Sequence, residues 1–369
     1  AALSEHNNVA YVETMGGRMP RLSEMGRLLQ RIGRILHGVR RGTSRGLDPH
    51  NVHIFSPLAI PIHNNRLIVW VNRQALVFQL RRLMAKLGME RPIIWSFSPR
   101  WQMVAERLDH ACLIFHCVDG LHTYDASEAF KAQFERTASS ADMVFTPGRL
   151  LYDELVALNP NTHRIGHGCA ETHLAFRDDG RSLPELADVP EPRVIYSGTL
   201  ANWIDYDLMI RLAELLHEMS FVVIGYVHAL ALRPKVDALL GLPNVHAVGY
   251  QNFSRLPRFY SRSAVGIVPY QADNEHIRYS TPTKFLDYVA AGLPCVSTRF
   301  PAAEELGAFC AIADTPEDFA AAIREAIADD DATKRAARRA YAAEHSWERQ
   351  VATMCGAIGQ VLRAQDTGQ

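Results

Sequence analysis

A chain of 369 residues is long enough for two domains, each with its own core. Its 39 lysines and arginines nearly cancel its 40 aspartates and glutamates, which disfavours a bulk nucleic-acid-binding role. No apolar run reaches membrane-spanning length and no signal peptide opens the chain, so the expectation is a cytoplasmic protein, soluble or peripheral on the inner face of the membrane. Cys112, Cys117, Cys169, Cys295, Cys310 and Cys355 show neither CxxC spacing nor a paired framework. Most sit in apolar runs, which fits buried free thiols in a reducing compartment.

Residues 8–13 read as a short strand with almost no chain before it. Between 21 and 39, Leu22, Met25, Leu29, Ile32, Leu36 and Val39 recur at spacings of three and four, an amphipathic helical pattern. Its other faces carry Arg21, Arg27, Arg31 and Arg34, followed by Arg40, Arg41 and Arg45. Two readings stay open here: a helix lying on an anionic membrane, and a core-facing helix with a basic outer side. Strands follow at 52–55, 92–97, 111–118 and 143–146, alternating with helices at 65–87, 101–108, 126–138 and 150–158. Such alternation with short connections predicts a parallel, doubly wound sheet. From 166 to 192 the chain turns to Gly, Pro and charge, the composition of an interdomain linker. The βα rhythm restarts at 193, and an alanine-rich helical tail closes the chain. The domain plan is thus 1–165, a linker at 166–192, a second domain at 193–345, and a helix at 346–369 that can cross back to the first domain.

The stretch 278–298 carries the strongest local chemistry. Ser280 or Thr281 suits an N-cap, Pro282 the first helical position, and Gly292 the helix stop. Lys284 then falls in the first turn, where a cation opposes the helix dipole, and Arg278 adds a second positive charge. With the free N–H groups of the helix start, the two make an anion trap; the alternative is a solvated lysine on an ordinary helix. Two successive doubly wound domains place a ligand cleft at the carboxyl ends of their sheets. No GxGxxG or GxxxxGK[ST] motif supports a dinucleotide or P-loop site, and HExxH, GxSxG and zinc ligand sets are missing. Asp205-Tyr206-Asp207 reads as a helix start and Asp329-Asp330-Asp331 as a loop, so no metal is expected.

Several motifs together resemble a known family. Ser197-Gly-Thr-Leu200, Asn244-Val-His-Ala-Val-Gly249-Tyr250, Leu256-Pro-Arg-Phe-Tyr260, Gly266-Ile-Val-Pro-Tyr270, Pro282-Thr-Lys284-Phe-Leu-Asp287-Tyr and Gly292-Leu-Pro-Cys-Val296 resemble the donor-binding half of GT-B glycosyltransferases. Phe115-His-Cys-Val-Asp119-Gly120, the stretch 135–146 and Arg164-Ile-Gly-His167-Gly168 are similar to the bacterial surface-polysaccharide branch, with teichuronic-acid-type transferases and the xanthan glucuronosyltransferase. Such proteins usually begin with a strand and a glycine-bearing loop upstream of the strand at 8, so the resemblance implies a shortened N-terminus.

The resemblance implies two Rossmann-like domains facing a cleft. A nucleoside-diphosphate sugar, with UDP favoured, would bind the C-terminal domain, and a glycan or polyprenyl-linked acceptor the N-terminal one, with no cofactor. It places Lys284, Arg278, Ser280 and Thr281 on the diphosphate, and Asp287 on the ribose. Tyr279 stands where retaining members carry the first glutamate of an E-x7-E pair, which favours inverting chemistry. Gly198 and Thr199 are assigned to a phosphate or sugar, though a turn alone can demand that glycine. Tyr250 is assigned to the base, with a structural tyrosine as the alternative. Asp119 is assigned as the base for the acceptor hydroxyl, with capping of the turn at Gly120 as the alternative. His167 and Gly168 are read as a hinge between domains. His116, His122 and His276 lie near the predicted cleft without an assigned role. A retaining transferase and a catalytically silent nucleotide-sugar or glycan-binding partner are the rival readings.

Overall fold

The computed structural model describes residues 2–5, 7–13, 51–60, 66–121 and 127–367. The basic stretch at 21–45 and His122 lie outside them. The chain forms two compact units, one of residues 1–116, 133–144 and 355–369, the other of residues 117–132 and 145–354.

In the first unit β1 (Val9–Val12) pairs in parallel with β2 (Val52–Phe55). Helix α1 (Arg66–Lys86) follows, and β3 (Ile93–Ser96) pairs in parallel with β4 (Cys112–His116), Ile93 opposite Cys112. These two begin a four-stranded sheet ordered β3–β4–β5–β6, whose β5 (Met143–Thr146) ends, and whose β6 (Thr162–Arg164) lies, among residues of the second unit. Every residue of β4 and β5 is buried. That explains why their sequences run continuously apolar rather than alternating: such strands are covered on both faces. Helices α2 (Glu128–Ser140) and α3 (Arg149–Leu158) flank β5 in the chain. The helix expected at 101–108 is only one turn, Gln102–Ala105, after a 3-10 turn at Pro99–Trp101.

The larger parallel sheet lies wholly in the second unit. It comprises β7 (Arg193–Ser197), β8 (Ser220–Ile224), β9 (Val245–Gly249), β10 (Val265–Val268), β11 (Cys295–Ser297) and β12 (Cys310–Ile312). Their order is β12–β11–β10–β7–β8–β9, so the chain starts in the middle, builds one side, then returns past β7 to build the other. The reversal between β7 and β10 is a topological switch point, where the carboxyl ends of the strands open a crevice. Around the sheet run α4 (Tyr206–Leu215), α5 (Arg233–Leu240), α6 (Lys284–Ala291) and α7 (Pro316–Ala328); α8 (Ala332–Glu344) and α9 (Trp347–Thr367) form the tail. The Asp329–Asp331 cluster is consumed by this tail: Asp331 caps α8 through the Lys334 N–H, and Asp330 pairs with Arg335 and Arg338. Asp205 likewise caps α4 through the Leu208 N–H.

Tyr288 of α6 props the crevice open. β7 and β10 pair only through Val194–Val265 and Ile195–Gly266. Past that point the buried Tyr288 hydroxyl accepts the Ser197 N–H at 3.1 Å and stands 3.4 Å from the carbonyls of both Ile195 and Ile267. The phenol thus replaces ladder bonds between the two strands. Gly266 makes room for it, since a Cβ there would fall 2.5 Å from the Tyr288 ring.

Five of the six cysteines are buried free thiols, and Cys355 on α9 is exposed. Burial raises the Cys112 thiol to about 11 and the Cys169 thiol to about 12. No helix among the described residues is long and apolar enough to cross a membrane.

A methyl group at 266 has nowhere to go without moving the ring or a strand. Gly266→Ala is therefore expected to cost about 1–3 kcal/mol of stability by urea denaturation. A change below about 0.5 kcal/mol, the range of an ordinary surface substitution, would mean that Tyr288 is not wedged there.

Candidate functional site

The lip of the crevice is built from backbone. Gly198 follows β7 with φ +143°, and Gly225 follows β8 so closely that a Cβ on it would lie 1.9 Å from the Gly198 carbonyl oxygen. Only glycine satisfies both demands. Into this gap comes Lys284, the first residue of α6 and only 9% exposed. Its Nζ stands 4.2 Å from the centre of the Tyr196 ring and 4.7 Å from that of Tyr270. A Cβ on Gly198 would lie 3.0 Å from the same nitrogen. Among the described residues the ammonium makes no hydrogen bond and no ion pair. Tyr196 cannot supply a charge, because burial holds its phenol well above the usual tyrosine range and its hydroxyl donates to the Thr199 carbonyl at 3.0 Å. Two aromatic faces stabilise a cation only partly, so the site has a standing demand for an anion.

The run before Lys284 departs from expectation. An extra short helix, Glu275–Tyr279, is capped by Asn274, whose side chain accepts the Ile277 N–H at 3.3 Å. Ser280 ends that helix in extended backbone and its hydroxyl donates to the Ile277 carbonyl, so it does not cap α6. Thr281 does not cap it either; Thr283 holds the N-cap position in helical backbone without a side-chain bond. The sequence reading missed the Asn274 cap, which competes for the same residues. Gly292 does close α6, in the left-handed conformation expected of it. Arg278 is exposed at the end of the short helix. Tyr279 donates from its hydroxyl to Glu154 of α3 at 2.7 Å, and burial together with that carboxylate pushes its phenol up to about 12. The Thr281 hydroxyl is buried and has no hydrogen-bond partner among the described residues, 3.1 Å from where a Cβ on Gly148 would stand.

Asp287, one turn along α6, is buried. Its Oδ1 lies 2.7 Å from His173 Nδ1, and His173 Nε2 lies 3.2 Å from the Phe253 carbonyl. Both ring nitrogens therefore face acceptor oxygens, which fixes the orientation of the ring. The imidazole also stacks on Phe253 at 4.3 Å between ring centres. One oxygen of the expected ribose ligand is therefore committed to His173. That histidine falls in a stretch whose composition reads as linker, and no local pattern marks it.

Asp119 is exposed on the turn after β4, and among the described residues its carboxylate accepts no hydrogen bond. Its carbonyl, not its carboxylate, accepts from the Cys117 thiol at 3.3 Å. Burial pushes that thiol far up, helped by the nearby charges of Asp119 and Glu154. Burial lowers the His167 pKa, against the opposing pull of Asp119. Asp119, Glu154, His167 and Tyr279 thus surround one locality in the second unit. Gly120 is buried beside it. Gly168 sits at a chain crossing: a Cβ there would fall 2.5 Å from the Trp347 Cα, and Cys169 bonds His345 and Trp347 through its backbone. Of the remaining histidines, His116 accepts from the Trp95 indole at 3.2 Å, and His276 lies against Trp203 at 5.2 Å.

The family described as Glycosyl transferases group 1 matches residues 191–329, the span that holds the crevice. The structure is similar to HepE from Anabaena, solved with UDP, at a TM-score of 0.64 and 14% identity over 98% of this chain and 100% of that one. A glycosyltransferase from Rickettsia africae gives a TM-score of 0.65 at 12% identity, covering 97% of this chain and 99% of its own. Sucrose-phosphate synthase from Thermosynechococcus elongatus gives 0.65 at 17% identity, covering 100% and 98%. No curated protein sequence matches the chain. The fold is that of a GT-B glycosyltransferase.

In the second unit, the ends of β8 and β9 add a feature that sequence reading caught only by half. Tyr250 is 70% exposed, and Tyr226, on the neighbouring strand end, is 52% exposed with its ring centre 6.4 Å away. The signal was present: Ile224-Gly225-Tyr226 repeats the pattern of Val248-Gly249-Tyr250. Two exposed aromatic faces beside the Gly198 turn can hold a planar group.

The buried Asp287–His173 pair is sensitive to truncation. His173→Ala leaves a carboxylate buried and unpartnered, so a loss of about 3–5 kcal/mol in chemical denaturation is expected. A variant as stable as the parent would show that Asp287 is reached by water.

Proposed function

We propose that the protein transfers a sugar from a nucleoside-diphosphate sugar, with UDP favoured, to a hydroxyl of a glycan or polyprenyl-linked acceptor. The reaction inverts the anomeric centre, needs no metal ion, and serves cell-surface or exopolysaccharide synthesis on the cytoplasmic side. The observation that carries this reading is the buried Lys284 ammonium at the switch point, without a counter-charge among the described residues. A diphosphate supplies that charge. Lys284 stabilises the leaving group as its negative charge grows, with Arg278 and the backbone N–H groups around Gly198, Thr199 and the α6 start as further donors. That the solved HepE complexes contain UDP, and in another case UDP-glucose, supports the choice of base. Tyr250 and Tyr226 offer the base a stacking surface.

Asp119 takes the acceptor proton as the hydroxyl attacks the anomeric carbon. Its exposed carboxylate, unengaged by the described residues, supports that role over capping of the turn. Asp287 serves the ribose only through the oxygen that His173 does not hold, and its larger part is to fix α6.

Lys284→Ala should weaken UDP and UDP-sugar binding about ten- to a hundredfold by calorimetry, since a charge-assisted contact is worth about 1.5–3 kcal/mol. The variant should fold normally, because among the described residues the ammonium has no hydrogen bond or ion pair to lose. Unchanged affinity would remove the phosphate assignment. Asp119→Asn should cut turnover by about 10²–10⁴-fold with donor affinity preserved. Near-normal turnover, or a product that keeps the donor's anomeric configuration by NMR, would overturn the inverting mechanism.

A further inference from the structure

Helix α1 is apolar on two opposite sides, and the core of its unit covers one. Leu76 and Val77 pack inward with Val104 and Leu108, and Leu80 and Met84 lie against the same cluster. On the opposite side Leu67 is 68% exposed, Trp70 54% and Phe78 60%, with Val71 beside them. Their spacing, at i, i+3, i+4 and i+11, keeps them on one stripe. A helix that is apolar all round is normally covered all round.

The stripe runs on into charge of one sign. Arg81, Arg82 and Lys86 follow Phe78, and the Arg82 guanidinium stands 5.6 Å over the Phe78 ring. Arg66 and Arg73 complete the helix's charges; it contains no aspartate or glutamate. The extended segment before α1 widens the apolar surface. The Asn72 carboxamide bonds the Ile60 N–H and carbonyl, both at 2.8 Å, and Gln79 does the same for Leu58, both at 2.9 Å. Pinned through its backbone, this segment leaves the Leu58 and Ile60 side chains exposed.

We propose that this face of α1 rests on an anionic lipid bilayer. Leu67, Trp70, Val71 and Phe78 enter the headgroup–acyl boundary, and Arg81, Arg82 and Lys86 meet the lipid phosphates. Charge complementarity selects this occupant. An apolar stripe flanked only by cations matches a surface that is negative outside and apolar beneath, and tryptophan with arginine suits that boundary. The bilayer is touched rather than crossed, as no described helix is long and apolar enough to span it. The proposal does not depend on the transfer chemistry.

Flotation of the full chain tests it, with vesicles of phosphatidylglycerol and phosphatidylcholine against vesicles of phosphatidylcholine alone. The protein should float with the anionic vesicles and much less with the neutral ones. Trp70→Gln with Phe78→Gln should lower anionic partition by at least about tenfold at any salt. Arg81→Glu with Arg82→Glu should lower it by at least about tenfold in low salt, with the difference shrinking in high salt. Far-UV circular dichroism and a thermal unfolding midpoint equal to the parent's would show that both variants fold, whatever the donor chemistry proves to be. Absence of flotation by the parent overturns the proposal. So does binding that survives both double substitutions, which would move the contact to another segment. Concentration-dependent self-association abolished by Trp70→Gln with Phe78→Gln, without vesicle binding, would assign the stripe to a second copy of the chain.

Discussion

A lysine ammonium buried between two tyrosine rings is costly to keep. Desolvation penalises the charge, and cation–π contacts recover only part of that penalty. The rings of Tyr196 and Tyr270 and the glycine turn at Gly198 bound the pocket, and the Asp287–His173 pair holds the same helix one turn on. The pocket is thus a preorganised positive site whose cost is met by folding in advance of any ligand, the arrangement that makes electrostatic stabilisation effective.

Reading the sequence singled out Lys284 because a cation in a helix's first turn contradicts the dipole, and a contradiction of local preference often marks function. The doubly wound sheet was equally legible, since the buried strands are unbroken apolar runs between amphipathic helices. What escaped was decided by competition or distance. Asn274 caps a short helix that takes the residues expected to open α6, so Ser280 ends one helix instead of starting another. His173 lies 114 positions before its partner Asp287, within a stretch of linker composition. Nothing local could announce the pairing, and the carboxylate read as a ribose ligand is buried and held by His173.

The N-terminal unit shows a different limit. An apolar residue in a helical sequence signals that it will be covered, not by what. In α1 the same run supplies a core face and an uncovered one. Only the pattern of exposure separates them, and only the one-sided charge suggests what the uncovered side meets.

The burial of the cysteines bears on handling the protein. Thiol reagents attack the thiolate, and burial suppresses it at Cys112, Cys117, Cys169 and Cys295 while walls of side chain bar access. Cys310 is shielded by the same burial. Cys355 alone presents its sulfur to solvent, near the middle of the closing helix. A maleimide dye or spin label offered to the native chain would therefore mark a single position, without engineering any other cysteine away.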